Sequence, residues 1–160
     1  MSRQTKKATA PRLNRFQKAI QATPEVAGNC KPGLQALGNY SSKVKVGDSK
    51  QLGGSIDIDQ STKSLYPESS RWDYAFDYAE STYFVEVHAA DTSEVTTVLN
   101  KLAWLKSWLK AKAPEIAKLR AERHPYIWIA SGSVKILPSS KESKRLAQSG
   151  LKLTTPLHLK

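Results

Sequence analysis

Cysteine is almost missing from this chain: Cys30 is the only one in 160 residues. No internal disulfide can form, and a reducing, cytoplasmic setting is the expectation. No nucleophile motif surrounds Cys30. No apolar run approaches the roughly 20 residues needed to span a bilayer, and no secretory apolar segment follows the first residues, so no membrane partner is expected. Zinc-ligand spacing, a nucleotide-binding glycine loop, a helix-turn-helix and a Ser/His/Asp arrangement are all missing, which removes the commonest motif-bearing classes. Internal repeats and long low-complexity segments are absent as well. Acids are scarce, 14 against 25 lysines and arginines, leaving a net charge of +11. That imbalance favours a polyanionic partner.

An apolar content of 39% and four tryptophans are enough for a folded core. The acids that exist are concentrated. Residues 55–94 hold nine of the fourteen (Asp57, Asp59, Glu68, Asp73, Asp77, Glu80, Glu86, Asp91, Glu94) and only Lys63 and Arg71 among the bases. An acidic island in a basic protein suits a metal-dependent enzyme acting on phosphodiesters; a soluble basic protein with clustered acids is the plainer account. Residues 1–18 carry Arg3, Lys6, Lys7, Arg12, Arg15 and Lys18 without an acid. They are expected to be a mobile, phosphate-tracking tail, although their composition also suits a transit peptide. The organisation expected is a flexible tail over 1–20 and one domain over 21–160.

Thr23-Pro24-Glu25 has the order of a short helix start. Residues 38–54 are glycine-rich loop with a weak strand near 43–46, and 55–59 alternate as a first strand. A polar loop covers 60–70. Asp91 and Glu94 have capping-box spacing, opening the longest helix on a stripe of Val95, Val98, Leu99, Leu102, Leu105 and Leu109. Pro114 stops it, and a helical piece over 115–123 follows. The apolar run 126–130 predicts a strand buried on both faces. Gly132 and Ser133 should turn the chain into 134–137, and residues 141–148 form a last helix ended by Gly150. The fold class expected is α/β, with a mixed sheet of four to five strands built from an antiparallel meander plus a crossover helix.

The stretches 71–78 and 83–88 alternate with period two. Trp72, Tyr74, Phe76 and Tyr78 share one face with Tyr83, Val85 and Val87. Asp73, Ala75 and Asp77 share the other with Glu86 and His88. A turn around 79–82 would pair Tyr78 with Tyr83, set Asp73 opposite His88 and set Glu86 opposite Ala75. Two carboxylates and an imidazole beside small alanines suit a metal better than they suit packing. Magnesium takes one or two carboxylates plus water and substrate oxygens. Asp57 would join them if its face agrees.

An aspartate entering the second strand and Glu-x-His on the third, in this element order, resemble the PD-(D/E)XK, or restriction-endonuclease-like, nuclease superfamily across about residues 50–137. The resemblance implies a Mg2+- or Mn2+-dependent endonuclease, with Asp73 and Glu86 as metal ligands and His88 at the lysine position. Trp72 stands where the family pattern has proline. Because a neutral imidazole is no permanent cation, the missing charge is sought elsewhere, first at Lys101 on the long helix and second at Lys63. The substrate implied is nucleic acid, DNA ahead of RNA. A homodimer, or a subunit of a larger assembly, is compatible. The alternatives are a catalytically decayed nucleic-acid-binding module and a protein-interaction subunit of the same fold.

Each residue also has a structural role open to it. Asp73 could cap a turn or pair with Arg71, and Glu86 could pair with a lysine or His88. Asp77 is expected to face solvent. Trp104 and Trp108 suit packing better than base stacking. Lys106, Lys110, Lys112, Arg120 and Arg123 are the nucleic-acid-binding candidates; with Lys118, Lys141, Lys144 and Arg145 they form either a solvated face or a phosphate-tracking one. His124 and His158 lie in no ligand spacing.

Overall fold

A computed structural model describes residues 12–160. The expected tail therefore lies outside the described residues up to residue 11. From Arg15 to Gln21 the chain is instead an α-helix (α1), with Phe16 and Ile20 buried. Asn14 caps it through a complete capping box with Gln17. The helix was missed because its basic residues masked a short apolar face (Phe16, Ala19, Ile20). Thr23-Pro24-Glu25 starts only turns: the Thr23 hydroxyl donates back to the Ala19 carbonyl, closing α1 rather than opening a new helix.

Seven strands follow, interleaved with short helices. They are β1 (Val44–Val46), β2 (Leu52–Asp57), β3 (Tyr74–Tyr78), β4 (Ser81–Ala90), β5 (Tyr126–Val134), β6 (Leu151–Thr154) and β7 (Leu157–Leu159). The helices after α1 are α2 (Ile58–Thr62), α3 (Val95–Ala111), α4 (Pro114–Ala117) and α5 (Lys141–Gln148). The main sheet has the order β2-β3-β4-β5-β6, antiparallel as far as β4 and parallel beyond it, while β1 and β7 form a small parallel pair. The protein is thus α/β with a mixed five-stranded sheet, its meander returned through the α3 crossover.

Two apolar layers sandwich the sheet. α1, α3 and α5 cover one face with Phe16, Val98, Leu102, Leu105, Trp108 and Leu146. Leu37, Val44 and Leu157 cover the other, against Phe76, Val85, Ile127 and Ile129. Residues 126–130 are buried throughout, as expected of a strand covered on both sides. Trp72 departs from its expected face. It precedes β3, so strand alternation does not bind it, and it packs in the α3 layer. Gly132 and Ser133 do not turn the chain; they continue β5 past a bulge opposite Ala89. Of the helix over 115–123 only the first turn forms. Strands β6 and β7 were not foreseen, being too short for alternation to show. Among the described residues, no helix is long and apolar enough to cross a membrane.

Candidate active site

Strands β3 and β4 meet in a two-residue turn, Ala79 and Glu80, both with positive φ (51° and 63°). Tyr78 therefore pairs with Ser81 and Tyr74 with Val85. The expected register is corrected by two residues. Turns of this kind normally use Asn-Gly, so Ala-Glu gave no sign of so tight a reversal. A two-residue slip keeps every side chain on its face, and it sets Asp73 beside Glu86 rather than opposite His88. Each acid accepts a backbone N–H from the other's stretch of chain. The Asp73 N–H donates to Glu86 Oε1 (3.1 Å), and the Val87 N–H donates to Asp73 Oδ2 (3.0 Å).

Helix α3 brings Lys101 over this pair. Its Nζ lies 2.6 Å from Glu86 Oε2 and 3.9 Å from Asp73 Oδ1. His88 completes the group, with Nδ1 3.6 Å from Glu86 Oε2 and Nε2 2.7 Å from Glu94 Oε1. Glu94 was expected to close a capping box with Asp91. Residues 92–94 wind instead as a tight 3₁₀ turn without that side-chain cap, and the Glu94 carboxylate goes to His88. Its membership was legible only as a seven-residue spacing from Lys101, which repeats a helix face every second turn. Glu86 is fully buried, while Asp73, His88 and Lys101 are each about one-fifth exposed.

Burial pushes the Asp73 carboxyl up to about 7, and the Glu86 charge adds to the rise. Lys101 and the Val87 N–H pull the other way. His88 is also raised, chiefly by its hydrogen bond to Glu86 and against the effect of burial, so the imidazolium is favoured. Burial pulls Lys101 down, but the Glu86 charge and hydrogen bond outweigh it, and the ammonium persists.

An aspartate in the unfolded chain releases its proton near pH 4, whereas folded Asp73 holds it to about 7. Between those values the unfolded state loses the proton first, so this group's contribution to stability falls as pH rises and stays low above 7. Asp73→Asn, which keeps the Val87 contact, should therefore stabilise the fold by about 2 kcal/mol at pH 8. Near pH 4 it should change little. Denaturant midpoints at the two pH values check this, and equal shifts at both would contradict it.

The other expected site residues are placed as follows. Asp57 does not join the acids. It pairs with Tyr74 on the opposite face and caps α2 by accepting from the Gln60 N–H. Arg71 binds Asp59 at 2.8 Å, not Asp73. Lys63 is exposed, and the ion pairs of the group among the described residues do not include it. Asp77, expected in solvent, is buried under the β2 bulge at Gly53, where it receives the Thr82 hydroxyl; burial pushes it up to about 6. Trp104 and Trp108 stack on each other (centroids 5.8 Å apart), with Trp108 buried and bonded to Glu25, so they pack.

The basic candidates stand apart from the acids. Lys106 reaches the Ser149 carbonyl and lies over the Tyr126 ring, and Arg120 bridges to Thr82 at the hairpin end of β4. Lys110 and Lys112 are roughly 13–16 Å farther down α3 than Lys101, at 1.5 Å per residue. Arg123 is exposed beyond α4. Among the described residues, no three His, Cys, Asp or Glu side chains cluster so as to hold a metal ion. No family model, curated protein or solved structure matches the chain.

Proposed function

We propose that this chain is a metal-dependent nuclease of the PD-(D/E)XK type, hydrolysing nucleic-acid phosphodiester bonds, DNA ahead of RNA. One observation carries this proposal. Lys101, thirteen residues beyond His88, reaches Glu86 and Asp73 from a separate helix. A lysine beside two acids on adjacent strands is the arrangement that the family pattern implies, and His88 leaves its usual position without one. The five-stranded mixed sheet with its crossover helix is compatible with the restriction-endonuclease-like fold.

The donor set fits Mg2+ or Mn2+, for which two carboxylates plus waters suffice. Among the described residues Asp73 Oδ1 accepts no hydrogen bond, and Glu86 Oε2 faces the side chains of Lys101 and His88. These two oxygens would take the ion. When bound, such an ion supplies an acidified water and charge neutralisation at the phosphate. The chain's own residues do the rest. The backbone N–H groups of Asp73 and Val87 fix the carboxylates without further reorganisation. Lys101, displaced from Glu86, offers a permanent cation to a phosphate oxygen. Glu94 holds His88 by Nε2, leaving Nδ1 on the acid side to orient water.

The Lys101–Glu86 contact also favours a second function, a nucleic-acid-binding or protein-interaction module whose site has decayed. An ammonium 2.6 Å from Glu86 neutralises that buried acid without any divalent ion. Manganese titration of the intact protein, followed by incubation with supercoiled plasmid, separates the two. The nuclease should bind manganese and nick the plasmid. A decayed module should show salt-sensitive binding with no cleavage, and no retention of DNA or RNA at low salt would leave protein interaction.

A further inference from the structure

A concavity lies around the edge of the sheet, over the end of β2. Two adjoining clefts, of about 440 and 380 Å³, share Ala36 and Asp57. Each falls in the size range of small-molecule pockets. Lys31, Gln35 and Gln60 line the first; Tyr40 and Tyr74 line the second. Asp57 projects between them. Its Oδ1 accepts from the Gln60 N–H at 2.9 Å, while no hydrogen bond among the described residues reaches Oδ2. The same holds for the Gln35 amide, the Lys31 ammonium and both tyrosine hydroxyls. Tyr40 is 39% exposed and meets Tyr74 only at a 60° tilt, so its outer ring face is open.

All five are exposed or half-buried at the walls of the clefts, where an entering ligand can reach them. Their chemistry is also selective. An acceptor oxygen, an open aromatic face and a cation at the rim match the parts of a nucleotide: amino group, ring and phosphate. The cleft lies on the sheet face opposite the acidic pair and is joined to it through the backbone, since Asp57 pairs with Tyr74, the neighbour of Asp73, and the Ile58 N–H donates to the Asp73 carbonyl.

We propose that this cleft binds one unstacked nucleobase bearing an exocyclic amino group, from a single-stranded or frayed strand. Asp57 Oδ2 accepts from the amino group, Tyr40 stacks on the ring, and Lys31 meets the adjoining phosphate. Thymine and uracil, which offer a carbonyl where cytosine offers an amine, are disfavoured. The proposal rests on the nucleic-acid part of the function above, and it deepens that function by giving it a base preference.

The test uses the intact chain in EDTA, where divalent-ion cleavage cannot intervene, with oligo(dC), oligo(dA) and oligo(dT) of one length at fixed salt. Wild type should bind oligo(dC) and oligo(dA) about tenfold more tightly than oligo(dT). Asp57→Asn retains a good helix cap and should bring that ratio close to one. Tyr40→Ala should weaken all three. Circular dichroism checks that both variants fold. Equal affinity of wild type for the three oligomers, a ratio unmoved by Asp57→Asn, or no binding to any of them would overturn the proposal. Equal affinities or an unmoved ratio leave manganese binding and plasmid nicking untouched, no binding to any oligomer counts against the nucleic-acid function as well, and failure of nicking alone leaves the base preference untouched.

Discussion

Glu86→Gln is expected to remove metal-dependent cleavage, by at least about a hundredfold, while leaving nucleic-acid affinity unchanged or raised. Glu86 is one of the two carboxylates proposed to hold the ion, and losing one ligand of such a site costs both affinity and orientation. A buried carboxylate attracts no phosphate, so its neutralisation is expected to leave strand binding unchanged or stronger. Glutamine keeps the side-chain shape and can still accept the Asp73 N–H bond through its carbonyl oxygen. Nicking of supercoiled plasmid in manganese, alongside a binding isotherm in EDTA, measures the two quantities separately. Equal nicking by wild type and variant would take Glu86 out of the mechanism.

The second large effect is on stability and holds whichever function is correct. Lys101→Met should destabilise the fold by about 3 kcal/mol, because it removes the nearest counter-charge of the fully buried Glu86. Adding Glu86→Gln to that variant should recover most of the loss, since the charge that needed a partner is then gone. Denaturant midpoints for wild type, the two single variants and the double variant form a cycle that isolates the coupling. Additive losses would mean that the 2.6 Å contact carries no net energy.

Much of the architecture was legible in the sequence. The α3 stripe, the twice-buried β5, α5 with its Gly150 stop and the alternating β3–β4 faces all follow from periodicity, which survives whatever surrounds it. Errors fell where two local preferences compete. Ala79-Glu80 shows no turn chemistry, yet the hairpin closes there, with Phe76 stacked on Tyr83 and Tyr74 paired with Val85. Glu94 has capping-box spacing but is drawn to His88, a partner no local rule could weigh. α1 was hidden by its basic residues, because three apolar positions in seven become a helix only once a core stands ready to receive them.

The site divides along the same line. Asp73, Glu86 and His88 were marked as one surface by alternation alone, since strand geometry assigns faces at a distance of two residues. That Lys101 meets Glu86, that Glu94 holds His88, that Arg71 goes to Asp59 and that Asp57 turns toward the tyrosines were settled by folding. Sequence spacing determines which side of an element a charge occupies. Which opposite charge it then meets depends on how helix and sheet pack, and only the assembled layers contain that information.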